Sequence, residues 1–361
     1  MKTITEILMI LNWLYGPNNK MIDEIDKKMS LKEIESAHHL LEIVNEHQVF
    51  VQEKNDRLSD FIRKNEFEKG KEYLAKESIR LITIFDKEYP EKLRRIEDAP
   101  YLLYVKGNFG KLNKLNTIAV VGSRKVSSYG KWATEKFVKE LCQNDIGIVS
   151  GMAYGVDSIA HRTAIEKNGY TLAVLGSGID VVYPAKNSNL YHEIAMKGSV
   201  ISEFCPGTKA LPYHFPYRNR IISGLSEGIL IIEAGEKSGT LITANYGLEQ
   251  GKEIFAVPGN IDSKFSIGTN QLIREGAKIT MRVADILEEL DLIQKPLVEE
   301  CSKGDNELQN DIITYLKQGE KTILEIKTAL NLKMSELLSE LTLMEINGFV
   351  EQNNGKQFRL R

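Results

Sequence analysis

Residues 117–124 read Thr-Ile-Ala-Val-Val-Gly-Ser-Arg, an apolar run that leads directly into a glycine turn. A stretch that favours helix follows, and the same pattern then repeats along the chain. Further apolar runs, each bounded by Gly or Pro, are 146–149, 172–175, 228–232 and 254–257. Continuous apolar strands that alternate with helices indicate a mostly parallel sheet that is covered on both faces. The sequence therefore predicts a doubly wound α/β core.

The predicted core that contains these apolar runs covers residues 77–290. Upstream of it, apolar residues recur at helical spacing until a Gly-Pro-Asn-Asn turn at 16–19, and further helical stretches follow. We therefore predict an N-terminal helical domain at residues 1–76. Downstream, the polar segment 291–305 contains both Pro and Gly and is predicted to be a linker.

Residues 306–361 are predicted to form a winged-helix-like domain. Three helical patterns precede two short β runs around Asn353-Asn354-Gly355, and Asn-Gly is a strong hairpin signal. Residues 301–361 hold eight Lys and Arg against nine Asp and Glu, a net charge of −1. The helix that would enter a DNA groove carries Glu336, Glu340 and Glu345. Because phosphates repel carboxylates, we predict that this domain binds protein rather than duplex DNA.

The composition is that of a globular protein without a membrane segment. Hydrophobic residues make up 42% and charged residues 27% of the chain, and no apolar run approaches the ~20 residues of a membrane helix. The N-terminus shows no export signal. The 3 cysteines are widely spaced and form no zinc or disulfide motif. We therefore expect a cytoplasmic protein. Since the net charge is −3, affinity for nucleic acid has to come from a local cluster of cations.

Glycine-containing loops follow four of the predicted strands. In open α/β sheets, such loops and the helix N-termini after them bind anions at the carboxyl ends of the strands. Arg124 follows the first of these strands. The structural alternative is that Gly122 is only a tight turn and Arg124 an ordinary surface arginine. Four loops on one sheet edge nevertheless favour a ligand that carries phosphate.

A second cationic segment lies at the start of a predicted helix, where Arg218, Asn219 and Arg220 follow Phe215 and Tyr217. Arginine suits phosphodiester oxygens, and an aromatic ring can stack on a base. The alternative is an internal ion pair with an acid such as Glu233. For Arg220, which is two residues from Arg218 and faces elsewhere, this structural role is as well supported as a DNA contact.

Other ligands and activities are disfavoured by the spacing of the motifs. Gly176-Ser177-Gly178 begins like a dinucleotide fingerprint, but Val181 stands where the third glycine belongs. Residues 247–252 miss the P-loop spacing, because the first glycine is one residue too close. We see neither a nucleophile paired with a base nor a metal-ligand cluster. We therefore expect a binding protein that has no cofactor or metal and is not an enzyme.

Taken in order, these motifs resemble those of the DNA-processing protein A (DprA/Smf) family, over roughly residues 79–290. The matching segments are 89–108, 121–124, 150–157, 178–184, 215–220, 238–244 and 255–259. The resemblance implies an extended Rossmann-like core between an N-terminal SAM-like domain and the winged-helix-like domain. It also implies a homodimer that binds single-stranded DNA, protects incoming strands and loads the recombinase RecA onto them during natural transformation.

The resemblance and the loop pattern together give a set of DNA-binding candidates. They are Gly122, Ser123, Arg124, Gly151, Ala153, Gly155, Asp157, Gly176, Gly178, Lys186, Asn187, Arg218, Asn219, Arg220, Ser238, Gly239 and Thr240. Many family members carry a basic residue directly after the Tyr-Pro of the third loop. That position is Ala185 here, and Lys186 is the nearest replacement.

The resemblance also implies an interface for the dimer and for RecA at Gln271, Leu272, Ile273 and Lys278, although an apolar Leu-Ile pair is equally typical of a core.

Two other functions stay open. One is a Rossmann-like hydrolase of free nucleotides, which would need an acid such as Glu233 near the Ser238-Gly239-Thr240 loop. The other is a sensor that binds a nucleotide signal and uses the C-terminal domain as its output.

Overall fold

The computed structural model describes residues 2–292 and 306–360, apart from 318, 348 and 354–356. The chain forms two compact units, Met1–Leu297 and Val298–Arg361. The predicted linker, residues 291–305, lies almost entirely outside the described residues. Within those residues, no helix combines the length and the apolar character that crossing a membrane requires.

Helices fill the beginning of the first unit. They are α1 (Lys2–Tyr15), α2 (Asn19–Lys28), α3 (Ala37–Glu46), α4 (Gln52–Arg63) and α5 (Glu66–Lys76). The Asn18 and Ser36 side chains accept backbone N–H bonds at the starts of α2 and α3, which satisfies amides that have no partner within the helix. The apolar face of α1 packs in one hydrophobic cluster with residues of the sheet, such as Tyr104 and Val200. Since both share one unit, a domain boundary at residue 76 stays a prediction.

The described residues of this unit contain a nine-stranded sheet with the order β1-β2-β6-β5-β4-β3-β7-β8-β9. The strands are β1 (Arg80–Thr83), β2 (Leu102–Gly107), β3 (Thr117–Val121), β4 (Gly147–Ser150), β5 (Thr171–Leu175), β6 (Ser199–Ser202), β7 (Gly228–Ile231), β8 (Glu253–Ala256) and β9 (Lys278–Ile279). The strands from β3 to β9 are parallel, whereas β2 pairs antiparallel with β6 and with β1. The predicted mostly parallel sheet is confirmed.

Helices cover both faces of the sheet. They are α6 (Glu91–Arg94), α7 (Ser128–Gln143), α8 (Val156–Glu166), α9 (Ser188–Lys197), α10 (His214–Gly224), α11 (Thr240–Glu249), α12 (Ile267–Arg274) and α13 (Val283–Glu289). On β3, Ile118 and Val120 pack in one cluster with α7 and α8, whereas Ala119 and Val121 pack in another with α10. Because alternate residues serve opposite faces, a strand buried on both sides reads as a continuous apolar run.

The order of the strands reverses beside β3. The chain builds β4, β5 and β6 on one side of β3 and then returns to place β7, β8 and β9 on its other side. Ligands of open α/β sheets bind at such a switch point, outside the carboxyl ends of the strands. We therefore expect a ligand to bind at the loops that follow β3 and β7.

The second unit has a core of its own. Its elements are α14 (Glu307–Leu316), β10 (Lys321–Thr322), α15 (Ile323–Leu330), α16 (Met334–Ile346), β11 (Val350–Gln352) and β12 (Gln357–Leu360). The last two strands pair antiparallel, as the Asn-Gly signal predicts, although the tip at 354–356 is outside the described residues. Apolar residues from all three helices and both hairpin strands form the core. The winged-helix interpretation stays a prediction.

Candidate functional site

A crevice of about 690 Å³ lies at the switch point, and we call it the β3–β7 crevice. Its walls are the loops after β3, β4 and β7, the first turns of α10 and α11, and a loop that precedes α12. The predicted residues that line it are Gly122, Ser123, Arg124, Ala153, Asp157, Arg218, Asn219, Ser238, Gly239 and Thr240. The fold thus brings together side chains from four separate sequence motifs.

Arg124 is an exposed cation of this crevice. Its guanidinium carbon lies 5.6 Å from the centroid of the Phe215 ring, a distance at which a cation and an aromatic face attract each other. Among the described residues, no carboxylate lies within ion-pair distance of Arg124, and its side chain is exposed. Lys125 follows it and also lines the crevice. Arg124 is therefore free to pair with an anion that enters from solvent.

Glu233 holds the loop that carries Arg124, although it does not line the crevice itself. It is 2% exposed, and its backbone carbonyl accepts from the Ser123 amide at 2.9 Å. Its carboxylate accepts from the Ser127 amide at 3.0 Å and from the Ser127 hydroxyl. Ser127 in turn caps α7 by accepting from the Gly130 amide at 3.0 Å. These bonds tie the end of β7 to the start of α7.

Arg218 is a largely buried cation in the wall of the crevice and is only 4% exposed. Its Nη1 donates to the carbonyl of Gly151 at 3.0 Å and to that of Val174. A Cβ on Gly151 would come within 2.5 Å of the guanidinium, so this position requires glycine. Burial lowers the pKa of Arg218 to about 10, with Asp157 opposing and Arg124 adding to the shift. Arg218 is therefore charged at neutral pH and gives the crevice positive potential.

Asp157 organises the loop after β4. Its Oδ2 accepts from the amides of Gly151 and Ala153 at 3.2 and 3.3 Å. Burial raises the pKa of this carboxyl, while the Arg218 guanidinium favours its charged form. The carboxylate thus folds the loop inward beneath a cation, and we assign it a structural role.

Phe215 supplies the apolar surface of the crevice. It is partly exposed and lies near two guanidinium groups, with Arg218 at 6.0 Å from its centroid in addition to Arg124. A Cβ on Gly176 would lie 2.8 Å from the ring, so Gly176 makes room for Phe215 without lining the crevice itself. A partly exposed ring near cations is suited to a nucleobase with its adjoining phosphate.

The opposite wall carries hydroxyl groups at the start of α11. The Ser238 hydroxyl donates to Thr240 Oγ1 at 3.0 Å and accepts from the Thr240 amide at 3.2 Å. Lys264 and Phe265 complete this wall, with the ammonium 5.4 Å from the ring centroid. Sequence reasoning missed this pair because no motif marks the loop. A lysine beside a phenylalanine, shortly after the Phe255–Gly259 motif, was the available signal.

Arg220 lies outside the crevice and forms an internal ion pair, which was the structural alternative to a DNA contact. It is buried, its Nε donates to Asp98 at 3.0 Å and its Nη2 donates to Glu203 at 2.8 Å. The internal ion pair therefore exists, but its acids are Glu203 and Asp98 rather than Glu233. Its guanidinium also lies 4.1 Å from the Tyr217 ring centroid, and neither residue lines the crevice.

Several other predicted DNA-binding residues support the loops without lining the crevice. The Asn187 amide donates to the Met152 carbonyl at 2.9 Å. Gly155 has a φ of +74°, and a Cβ there would collide with the Ser123 carbonyl. A Cβ on Gly178 would lie 2.6 Å from the Cys205 carbonyl. Lys186 is exposed in a short turn at 185–187 and is not part of the crevice wall.

The predicted interface residues lie near the far edge of the sheet. Gln271 and Ile273 on α12 are partly exposed, whereas Leu272 is 7% exposed and belongs to the core. Lys278 on β9 forms an ion pair with Glu289 at 2.5 Å. Among the strands that the structure describes, β9 pairs only with β8, and exposed Ile279 and Met281 follow Lys278. Within the described ranges, no group of acidic, His or Cys side chains is arranged to hold a metal ion.

Comparison with known proteins gives a consistent result. A family model described as DNA recombination-mediator protein A matches residues 80–291. DNA processing protein DprA of Bacillus subtilis is 42% identical over 214 residues, which cover 59% of this chain and 72% of the relative. Protein Smf of Escherichia coli is 36% identical over 284 residues, which cover 78% of this chain and 73% of the relative.

Solved structures agree with these relatives. The X-ray structure of DNA processing protein A from Streptococcus pneumoniae matches with a TM-score of 0.69 and 35% identity, covering 80% of this chain and 98% of that one. DNA processing protein A from Helicobacter pylori, solved to explain how it binds single-stranded DNA, matches with a TM-score of 0.53 and 30% identity. That match covers 58% of this chain and 95% of the other.

Proposed function

Because the chain belongs to the DNA recombination-mediator protein A family, we propose that it binds single-stranded DNA in the β3–β7 crevice and delivers it to RecA. The observation that carries the proposal is the exposed, unpaired Arg124 beside Phe215 at the switch point of the sheet. The binding of single-stranded DNA by the Helicobacter pylori relative supports the same ligand.

The crevice offers separate contacts for each part of a nucleotide. Arg124, Lys125 and Lys264 supply cations for phosphates, and Phe215 and Phe265 supply rings for bases. Stacking requires that the face of a base be accessible, which is true of a single strand and not of a duplex interior. We therefore propose a preference for single strands with little dependence on base sequence, and an affinity that falls as salt rises.

The arrangement supports binding better than hydrolysis. An enzyme that cleaves free nucleotides would need an acid in the crevice, and Glu233 was the candidate. Its carboxylate is engaged by Ser127 and caps the start of α7. Asp157 is likewise engaged by two backbone amides. We therefore propose a mediator that is not an enzyme and uses no cofactor. Tight binding of a mononucleotide but not of DNA would instead favour the alternative function, a sensor that binds a nucleotide signal.

The far edge of the sheet concerns two further parts of the proposal, dimerisation and delivery to RecA. β9 is an edge strand, and such a strand presents backbone groups that can pair with another chain. Lys278 and Ile279 are exposed residues of this strand, and Gln271 and Ile273 are partly exposed on α12, which precedes it in the chain. We propose that this edge serves the homodimer and RecA in the cytoplasm, where the protein protects incoming strands during natural transformation.

The direct test is fluorescence anisotropy of labelled single-stranded and duplex oligonucleotides at two salt concentrations. We expect Arg124→Ala to weaken single-strand binding by roughly tenfold or more, because a charge-assisted contact to phosphate contributes about 1.5–3 kcal/mol. Arg63→Ala is the matched control, since Arg63 is an exposed arginine on α4 and pairs only with Asp60 in the described structure. If the intact protein binds no single strand at low salt, the proposal is wrong.

A further inference from the structure

The exposed face of α7 carries a second set of aromatic and cationic side chains, outside the β3–β7 crevice. Tyr129 is 43% exposed and Trp132 is 53% exposed. Their ring centroids are 5.9 Å apart, and the rings are tilted by 32°. The Lys136 ammonium lies 5.2 Å from the Trp132 ring centroid. Spacings of three and four residues place all three side chains on one face of the helix, and we call this face the aromatic ridge.

The aromatic ridge is not needed to attach α7 to the sheet. The helix already packs through the opposite face, where Ala133, Phe137 and Val138 are buried in the core. A tryptophan that is half exposed keeps a large apolar area in water, and burying that area would be favourable. A surface that combines such rings with a cation is therefore a candidate for a ligand that has both a flat apolar face and a negative charge.

The aromatic ridge begins only a few residues after the rim of the crevice in the chain. α7 begins at Ser128, directly after the loop that carries Arg124 and Lys125. From Ser128 to Trp132 the helix rises by about 6 Å, roughly one turn. The Tyr129 hydroxyl donates to the carbonyl of Pro258 at 2.9 Å, in the loop that leads to the crevice residues Lys264 and Phe265.

We propose that single-stranded DNA leaving the β3–β7 crevice continues over the aromatic ridge, with a base stacked on Trp132 and a phosphate beside Lys136. The inference rests on the proposed function and adds a second contact region to it. Alternating rings and cations are the usual means of binding a strand without sequence preference. A duplex would gain little from the ridge, because its base faces are already stacked.

Oligonucleotides of two lengths distinguish binding to the ridge from binding to the crevice. Oligothymidylates of about 6 and about 20 nucleotides bracket the site sizes of single-strand-binding folds and form no secondary structure. Anisotropy titrations compare the intact protein with Trp132→Ala and with Met196→Ala, which truncates another exposed apolar side chain, on α9. We expect Trp132→Ala to weaken binding of the longer strand by roughly tenfold and to leave the shorter strand unchanged, because it loses one stacked base.

Fluorescence gives a readout that a merely structural role would not change. The chain has 2 tryptophans, so Trp13→Phe leaves Trp132 as its only tryptophan. The longer strand should quench Trp132 emission and protect it from acrylamide, whereas the shorter strand should do neither. Thermal melting of each variant confirms that it is folded, and the anisotropy comparison does not depend on Trp13→Phe.

Each remaining outcome has a definite meaning. If the intact protein and Trp132→Ala bind the longer strand equally, the inference is overturned while the proposed function stands. If Trp132→Ala changes the molar mass in light scattering and leaves both affinities unchanged, the ridge is a protein interface and the inference is wrong. If the intact protein binds neither strand at low salt, the proposed function itself fails and the inference fails with it.

Discussion

The Glu233 carboxylate accepts from the amide and the hydroxyl of Ser127, while its carbonyl accepts from the Ser123 amide. A buried acid that makes all of these bonds would be costly to displace. The position of Arg124, which lies between the two serines, therefore depends on a residue that touches no ligand.

Gly130→Ala should reveal this dependence without removing any polar group. A Cβ at position 130 would collide with the Glu233 carboxylate, which has to move and release the loop before α7. We expect weaker single-strand binding, by several fold, together with a lower melting temperature. Gly110→Ala is the control, because a Cβ there meets Glu88 only at an ordinary 3.4 Å. Equal affinities of the two variants would refute this role of Glu233.

His161 gives the free energy of unfolding a dependence on pH. It is fully buried beside Thr171, with Nδ1 and Oγ1 2.7 Å apart, and burial lowers its pKa from 6.5 to about 3. The unfolded chain therefore binds a proton that the folded chain excludes. This part of the stability is complete above pH 6.5 and is lost as the pH falls towards 3, on the order of 3–5 kcal/mol.

Urea unfolding at several pH values measures this effect. His161→Gln should flatten the decline of the unfolding free energy between pH 6.5 and 4, whereas His192→Gln at an exposed position should not. An unchanged slope in His161→Gln would show that other groups cause the acid sensitivity.

At the scale of the element, α10 serves two purposes with two arginines that are two residues apart. Arg218 faces the crevice, and Arg220 forms a buried ion pair with Glu203 and Asp98. The sequence predicts that the two face differently, because residues two apart do not share a helix face. It could not identify the acids, since Glu203 and Asp98 reach Arg220 only through the packing of α10 against the sheet.

Arg220→Met should separate stability from binding. Removing one partner leaves the Glu203 carboxylate buried without its counter-ion, which typically costs about 3–5 kcal/mol. We expect a much lower midpoint of urea denaturation and an unchanged affinity for single strands per folded molecule. A selective loss of affinity, without loss of stability, would show that Arg220 belongs to the binding site.

At the scale of the whole molecule, the alternation of apolar runs and glycine loops was sufficient to predict the parallel sheet and the crevice at its edge. The loop residues gather there because the carboxyl ends of parallel strands share one edge. Lys264 and Phe265 escaped prediction because their loop after β8 carries no regular pattern. The resemblance suggests Lys186 as the nearest replacement for a basic residue of the family, and Arg220 belongs to a motif that reaches the sheet edge, but neither side chain lines the crevice.

The open edge at β9 leads to a prediction about assembly. Ile279 is exposed on that strand, so Ile279→Glu places a charge on the surface without emptying the core. We expect the variant to elute as a monomer in size-exclusion chromatography with light scattering, at concentrations where the intact protein is a dimer. Met196→Ala, on α9, should keep the dimer. A monomeric intact protein would rule out the proposed dimer.

The distance along the chain between the two halves of the crevice has a consequence during synthesis. One wall follows β3 at residue 121, and the other follows β7 and extends to Phe265. Contacts so far apart in sequence form late in folding. A nascent chain on the ribosome therefore completes the crevice only after Phe265 has emerged, and a polypeptide truncated before that point lacks one of its walls.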